Sequence, residues 1–378
     1  MTARTLVAVA VCAVLVPLLS ALPPVLPDSP AWLVVETGAT APQAAATSEV
    51  PVRSTRTERR DASGGLATTV TAIQRSDSGP LWIGWTVPAV ASREGRGNRW
   101  GDGDAGRCVL DDDGEIRNPH GIDGGTRRLV ILVRSQGADV TRVAFTDERC
   151  TVDAGSRPVY WLSGVAPDQS VALLAQLVRD NAPVSASGKT RRPRKQALPA
   201  LALHGSTAAD TALAEFVKPG QSRDVRRDAA FWLGAARGEV GAAVVERLAR
   251  EDADEDFREH LTFVLTLVGD RGIDPLITMA KRDSSAKVRS QALFWLGQKA
   301  GQRAVAALEG AVADDPDRDV RKKAVFAISQ LPSDEGVPKL IGLARTHRDP
   351  EVRKQAMFWL GQSGDERAVQ FFEQVLKN

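Results

Sequence analysis

Apolar positions in the second half of the chain recur in fixed columns. Arg226, Arg258, Arg289, Arg321 and Arg353 are spaced 32, 31, 32 and 32 residues apart. One position before each arginine stands Val225, Phe257, Val288, Val320 or Val352. Three positions after come Ala229, Leu261, Ala292, Ala324 and Ala356; seven after come Leu233, Leu265, Leu296, Ile328 and Leu360. This i, i+4, i+8 spacing is one apolar face of an α-helix. Four residues before each arginine stands a good helix cap: Ser222, Asp254, Ser285, Asp317 or Asp349, the last followed by Pro350 at a first helical position. A second helical pattern lies between copies, as in Ala304–Val312 and Val337–Ala344. The unit is therefore helix–turn–helix. A fixed period of this length predicts a solenoid, whose units bury their apolar faces only against their neighbours.

The preceding stretch changes period. Leu81–Val87, Arg128–Arg134 and Asp139–Phe145 are short β-branched or aromatic runs bounded by Gly and Asp, and Pro158–Leu162 reads as one more. Residues 66–162 are expected to form a small antiparallel β-rich module. Trp82 and Trp85 fall on opposite faces of one strand, so at most one of them is expected to be fully buried. Asp168–Asp180 has helical spacing with Asp168 as its cap and opens the solenoid, which then spans 163–378 with clear repeats over 222–378. A degenerate copy follows around Arg194, with Thr190 as cap, Ala197 and Leu201 in the apolar columns and Pro199 where later copies carry Phe. Its basic run, Arg191 to Lys195, reads as a solvated helix start. Residues 47–65, rich in Ala, Thr and Ser and then in charge, read as linker.

The run DPDRDVR from Asp315 to Arg321, with the Ala column behind it, resembles HEAT repeats, particularly the short type found in phycobilisome lyases. The resemblance covers Thr190 to Asn378. It implies that the Val-Arg helix is the inner one, lining a concave face. It also implies a ladder in which an Asp just before that helix pairs with the arginine. Asp252, Asp283 and Asp315 fit that place, while Gly220 and His347 do not, so the ladder is expected to be incomplete. The fold class is thus mainly α: a HEAT-like solenoid of helical hairpins behind a β-rich module.

Composition adds the compartment. Residues 1–46 read as a signal peptide or anchor, with Arg4 ahead of the apolar Leu6–Leu19 and candidate cleavage after Ala21, Ala41 or Ala46. The chain is expected to be periplasmic or secreted, in a bacterial envelope, and tied to the inner membrane only if residues 5–22 are retained. Apart from Cys12 the chain holds Cys108 and Cys150, an even pair expected to form one structural disulfide. Zinc is disfavoured, because there is no CxxC and only four histidines. Lys plus Arg (49) nearly balances Asp plus Glu (47), which leaves no global basic field for nucleic acid. The acidic cluster at Asp102–Asp104 and Asp111–Glu115 fails the EF-hand spacing and reads as turns.

No nucleophile, metal-protease or phosphate-loop motif occurs, and the His-Glu pairs of HEAT-type di-iron hydroxylases are missing, so no enzyme, cofactor or metal is expected. The functional signal is a column five positions after each arginine: Phe231, Phe263, Phe294, Phe326 and Phe358. On a helical wheel Phe358 falls about 240° from Val352, opposite the core arc that holds Trp359 and Met357. Lys322, Lys354, Gln298, Gln330 and Gln362 flank the column. It reads either as packing between repeats or as a groove of aromatic anchors for a protein or extended peptide; Trp232, Trp295 and Trp359 read as core packing. The expected function is an exported protein-interaction scaffold, with a bilin-lyase-like enzyme or chaperone, or a membrane-surface tether, as alternatives.

Overall fold

A computed structural model describes residues 50–90, 108–110, 116–117, 128–180, 193–299 and 301–377. The expected leader, the acidic cluster, Thr190, Arg191 and Arg192 lie outside the described residues. The order of elements is β1 (Val52–Arg53), β2 (Thr57–Asp61), α1 (Leu66–Ser76), β3 (Leu81–Pro88), β4 (Val109–Leu110), β5 (Ile116–Arg117), β6 (Arg128–Gln136), β7 (Asp139–Asp147), β8 (Val152–Asp153) and β9 (Val159–Ser163). Helices follow: α2 (Pro167–Arg179), α3 (Pro193–Ala202), α4 (Thr207–Phe216), α5 (Arg223–Ala236), α6 (Gly238–Glu251) and α7 (Glu255–Leu267). After a 3-10 turn at Gly269–Gly272 come α8 (Ile273–Arg282), α9 (Ala286–Lys299), α10 (Gln302–Asp314), α11 (Arg318–Ser329), α12 (Ser333–Thr346), α13 (Pro350–Ser363) and α14 (Glu366–Lys377).

The β module departs from expectation in four ways. Part of the expected linker is ordered strand: β2 closes one edge of the main sheet, whose order is β2-β9-β3-β6-β7, and β1 joins a second, smaller sheet. Its exposed charges hid it, as is usual for an edge strand. The main sheet is mixed, because β9 runs parallel to both β2 and β3 while β3, β6 and β7 are antiparallel. Alternation of residues carries no information about strand direction. Residues 66–76, at the start of the expected β-rich module, form helix α1. Finally, Trp82 and Trp85 are both fully buried. Helices α1 to α3 cover the Trp85 face, and the small sheet with its Cys108–Cys150 disulfide covers the Trp82 face. The unbroken apolar run of β6, Leu129 to Val133, is the signature of a strand covered on both sides.

The sheet is joined to the solenoid without a break in the core. One apolar cluster runs from Ala62 of the β module to Phe371 of α14. Trp85 Nε1 donates to Ser170 Oγ of α2 across 2.9 Å in the interior. Past β3 the chain crosses to the α3–α4 turn, where Gly205 N–H donates to Pro88 O at 2.7 Å and Val90 N–H to Leu203 O at 2.8 Å. Helix α2 starts at Pro167, so Asp168 lies inside its first turn rather than capping it; its carboxylate instead accepts from Ser206 Oγ.

The repeats form as the columns predict. Ser222, Asp254, Asp317 and Asp349 each accept a hydrogen bond from a first-turn amide of their helix, and the Ser285 carbonyl accepts from Arg289 N–H. The Val-Arg helices α5, α7, α9, α11 and α13 stack on one another closely, whereas α10 and α12 of the other layer barely touch. A layer with shorter spacing is the inside of a curve, which makes the Val-Arg layer the concave one. Glycine permits the close approach at two places. A Cβ at Gly297 would stand 2.7 Å from Ala327 O, and one at Gly234 would stand 2.6 Å from Val264 Cγ1.

Candidate functional site

Two ladders run along the inner layer. The first is ionic. Arg258 reaches Asp283 at 2.8 and 2.9 Å, Arg289 reaches Asp315 at 2.8 and 3.0 Å, and Arg226 pairs with Asp252. Each arginine therefore takes the aspartate of the following repeat. In Arg258, Arg289 and Arg321 the remaining Nη1 donates to carbonyls of the arginine's own loop, as Arg289 does to Asp283 O at 2.9 Å, whereas Arg226 turns Nη1 to Asp254 and donates through Nε to Val217 O at 3.0 Å. Where His347 replaces the expected aspartate, the ladder does not break: Arg321 reaches two residues further to the cap, Asp349, at 2.9 Å. These side chains are almost wholly buried, except for the Arg321–Asp349 pair, which keeps some exposure. Burial alone pushes the Asp283 carboxyl up, but the hydrogen bonds from Arg258 and Ser285 N–H outweigh it and hold that carboxyl below the ordinary range. Asp349 is likewise lowered, first by its hydrogen bond from Arg321.

The second ladder is aromatic, and here the sequence reading was incomplete. Trp232, Phe231, Phe263, Trp295, Phe294, Phe326, Trp359 and Phe358 form one unbroken chain of rings. Centroid separations along it are 5.2, 6.3, 5.3, 4.9, 6.3, 4.9 and 5.0 Å. Phe231 on Phe263 and Phe294 on Phe326 lie nearly parallel, at 15° and 7°. The neighbouring repeat covers one side of each, so Phe231, Phe263, Phe294 and Phe326 are half-buried while Phe358 stays 53% exposed. The tryptophans pack against the core, as expected, and are also part of this lane. They are half-buried, and the indole N–H groups of Trp295 and Trp359 are buried with no hydrogen-bond partner. Met357, placed in the core arc by the wheel, is 36% exposed. Adjacency of Phe and Trp at 231–232, 294–295 and 358–359 was the available signal, because consecutive helical positions lie about 100° apart and can embrace one neighbouring helix.

Around the lane, Gln298, Gln330, Gln362 and Lys354 are exposed; Lys322 is half-buried and lies 3.5 Å from Asp319. A recess of about 240 Å³ opens beside the last rings, lined by Ser329, Gln330, Val337, Trp359, Gln362 and Ser363 among others. His260 sits against Phe257 and Phe263 with Nε2 bonded to Arg227 O at 3.1 Å, and burial lowers its pKa. The lane begins at Trp232 because the preceding copy carries Pro199 inside α3 in place of the ring. Among the described residues no group of His, Cys, Asp and Glu side chains is placed to hold a metal, and no helix is long and apolar enough to cross a membrane. The surface is thus apolar at its centre and amide- and ammonium-rich at its rim, an arrangement suited to contacts with another polypeptide.

Comparison with known proteins gives the following. Residues 273–331 and 310–378 match the family model of HEAT repeats. Human deoxyhypusine hydroxylase is similar at 19% identity over 54% of this chain and 77% of its own, with a TM-score of 0.29. The CpcE–CpcF complex of phycocyanin lyase from Nostoc matches at 22% identity over 41% of this chain and 99% of that chain, with a TM-score of 0.31. Importin beta matches at 17% identity over 52% of this chain and 28% of its own, with a TM-score of 0.27. No curated protein matches the sequence.

Proposed function

Because the repeats at residues 273–378 are HEAT repeats, we propose that the chain is an exported, non-enzymatic scaffold that takes an extended polypeptide along its concave face. The aromatic lane carries this reading. Eight rings stand in one line, still partly open after their own stacking and flanked by Gln298, Gln330, Gln362, Lys322 and Lys354. Exposed aligned aromatic surface is where interfaces concentrate their energy. Stacking and binding are compatible uses of the same rings, since stacking fixes their positions before a partner arrives and lowers the entropic cost of association. Export is supported by the apolar N-terminal stretch and by the pairing of Cys108 with Cys150, a bond that persists in oxidising compartments.

The test is site-specific photo-crosslinking in an envelope preparation. A crosslinker at Gln330 or Lys354 on the concave face is expected to trap a polypeptide, and one at Glu309 on α10 is not. The triple variant Phe358→Ser, Lys322→Glu, Lys354→Glu is expected to lose that product while melting like wild type. Equal trapping at Glu309, or an unchanged product from the triple variant, refutes the concave-face assignment. Cofractionation of the chain with cytosolic markers refutes export.

A further inference from the structure

Of the inner helices, α5, α9 and α13 carry a tryptophan six residues after the arginine, at Trp232, Trp295 and Trp359. In α5 and α9 a basic side chain ten or eleven residues after that arginine turns back onto the C-terminal carbonyls of the preceding inner helix. Lys299 donates through Nζ to Thr266 O of α7 at 3.2 Å. Arg237 donates through Nη1 to Ala202 O at 3.0 Å and to His204 O at 2.6 Å, at the end of α3. The last carbonyls of a helix lack intrahelical donors and carry the negative end of its dipole, so a cation suits that place. In α13 the same two positions are Ser363 and Gly364. Ser363 Oγ donates to Leu360 O of its own helix at 2.7 Å. The recess of about 240 Å³ lies here, in the place that corresponds to the cation of the other two helices.

We propose that this recess, enclosed between α11, α12 and α13, binds a lysine side chain: an alkyl stem ending in an ammonium. Its walls repeat those of the Lys299 site. Ser329 stands eight residues after Arg321, as Thr266 stands eight after Arg258. Both turn their hydroxyls the same way, Ser329 Oγ donating to Phe326 O and Thr266 Oγ1 to Phe263 O, each at 2.7 Å. Trp359 lines the recess, and an indole suits both an alkyl stem and a cation. Ser333, Gln330 and Gln362 complete the lining with oxygens able to accept from an ammonium. The first turn of α12 adds the exposed carboxylates of Asp334 and Glu335. Arg367, which donates to Ser333 O at 2.8 Å, is itself paired with Asp365 at 2.7 Å. The volume falls below the roughly 300–1,000 Å³ of sites for drug-sized ligands, which suits one long side chain rather than a whole small molecule. The partnerless indole N–H of Trp359 is not what selects the occupant, since Trp295 Nε1 is equally without a partner beside Lys299. The pocket stands on these contacts alone; that the lysine belongs to an extended polypeptide rests on the concave-face reading.

The probe is Nα-acetyl-lysine methylamide, with Nα-acetyl-norleucine methylamide as the neutral stem. The readout is the indole N–H resonance of Trp359 in the full chain, identified by its loss in Trp359→Phe, with the Trp295 resonance as internal reference. The lysine probe is expected to shift the Trp359 resonance saturably and to leave that of Trp295 in place. The norleucine probe is expected to bind at least about tenfold more weakly. Ser363→Lys offers the recess an ammonium from its own chain, as Lys299 does one site earlier, and is expected to abolish probe binding, whereas Ser363→Ala keeps it. Equal affinity for the two probes, a saturable shift with acetate in place of the lysine probe, or unchanged probe binding in Ser363→Lys overturns the proposal. Photo-crosslinking at Gln330 separates the two readings. A trapped polypeptide without probe binding overturns the pocket and leaves the concave face standing. Probe binding without a trapped polypeptide upholds the pocket and refutes the polypeptide as the carrier of the lysine.

Discussion

Replacing Arg289 by Met separates the ionic ladder from the packing around it. The guanidinium makes two bonds to Asp315, at 2.8 and 3.0 Å, and one to Asp283 O at 2.9 Å, with only 10% and 5% of the two side chains exposed. Methionine keeps much of the apolar stem but leaves the Asp315 carboxylate in the interior with the Asp317 N–H at 2.9 Å as its remaining partner. Removing one partner of a buried pair costs about 3–5 kcal/mol. Most of that is the uncompensated charge rather than the worth of the bond. It follows that Arg289→Met with Asp315→Leu should cost less than the sum of the single changes, by roughly 1–3 kcal/mol. The control is Arg303→Met: its partner Asp274 is 2.8 Å away, but the two side chains are 61% and 72% exposed, and such a pair is worth less than about 1 kcal/mol. Urea unfolding followed by far-UV circular dichroism and by tryptophan emission gives the stabilities, with unchanged slope as the check that the unfolding unit is the same. If Arg289→Met costs no more than Arg303→Met, the ladder does not hold the repeats together and the reasoning fails.

Two further outcomes follow from the same structure. His204 is fully buried, and burial first, then the Arg237 cation beside it, lowers its pKa to about 4, against a smaller opposing pull from Asp168. A lowered histidine favours the fold fully above its ordinary value near 6.5, and that stability is lost as pH falls toward about 4, by roughly 3 kcal/mol in all. Urea midpoints measured across that window should fall more steeply for wild type than for His204→Asn; parallel curves would show that the imidazole does not stay neutral inside. In the β module, Cys108→Ser with Cys150→Ser opens a link between residues 42 apart, which chain entropy values at about 4 kcal/mol. Thermal unfolding of the pair variant checks this, and a loss under about 1 kcal/mol would mean that the small sheet holds without the bond.

The sequence by itself determined the repeat. Period, caps, apolar columns and the position of every ring were legible, because a helix makes its decisions over three or four residues and each copy repeats them. The pairing of Cys108 with Cys150 was legible too, since only two candidates remained once Cys12 was set aside. Tertiary structure decided what lies against what. It made Trp232, Trp295 and Trp359, which pack against the core, links of a ring chain as well, because a ring's surroundings depend on the neighbouring repeat, which a single-helix wheel does not contain. It let Asp349 stand in for the aspartate missing at His347, since a flexible guanidinium reaches whatever carboxylate the next turn offers. It buried both Trp82 and Trp85 and ran β9 parallel to β2 and β3, because strand alternation records that two faces exist but not what covers each or which way a neighbour runs. Local rules wrote the helices into the chain; long-range packing alone could say which of their faces were left open.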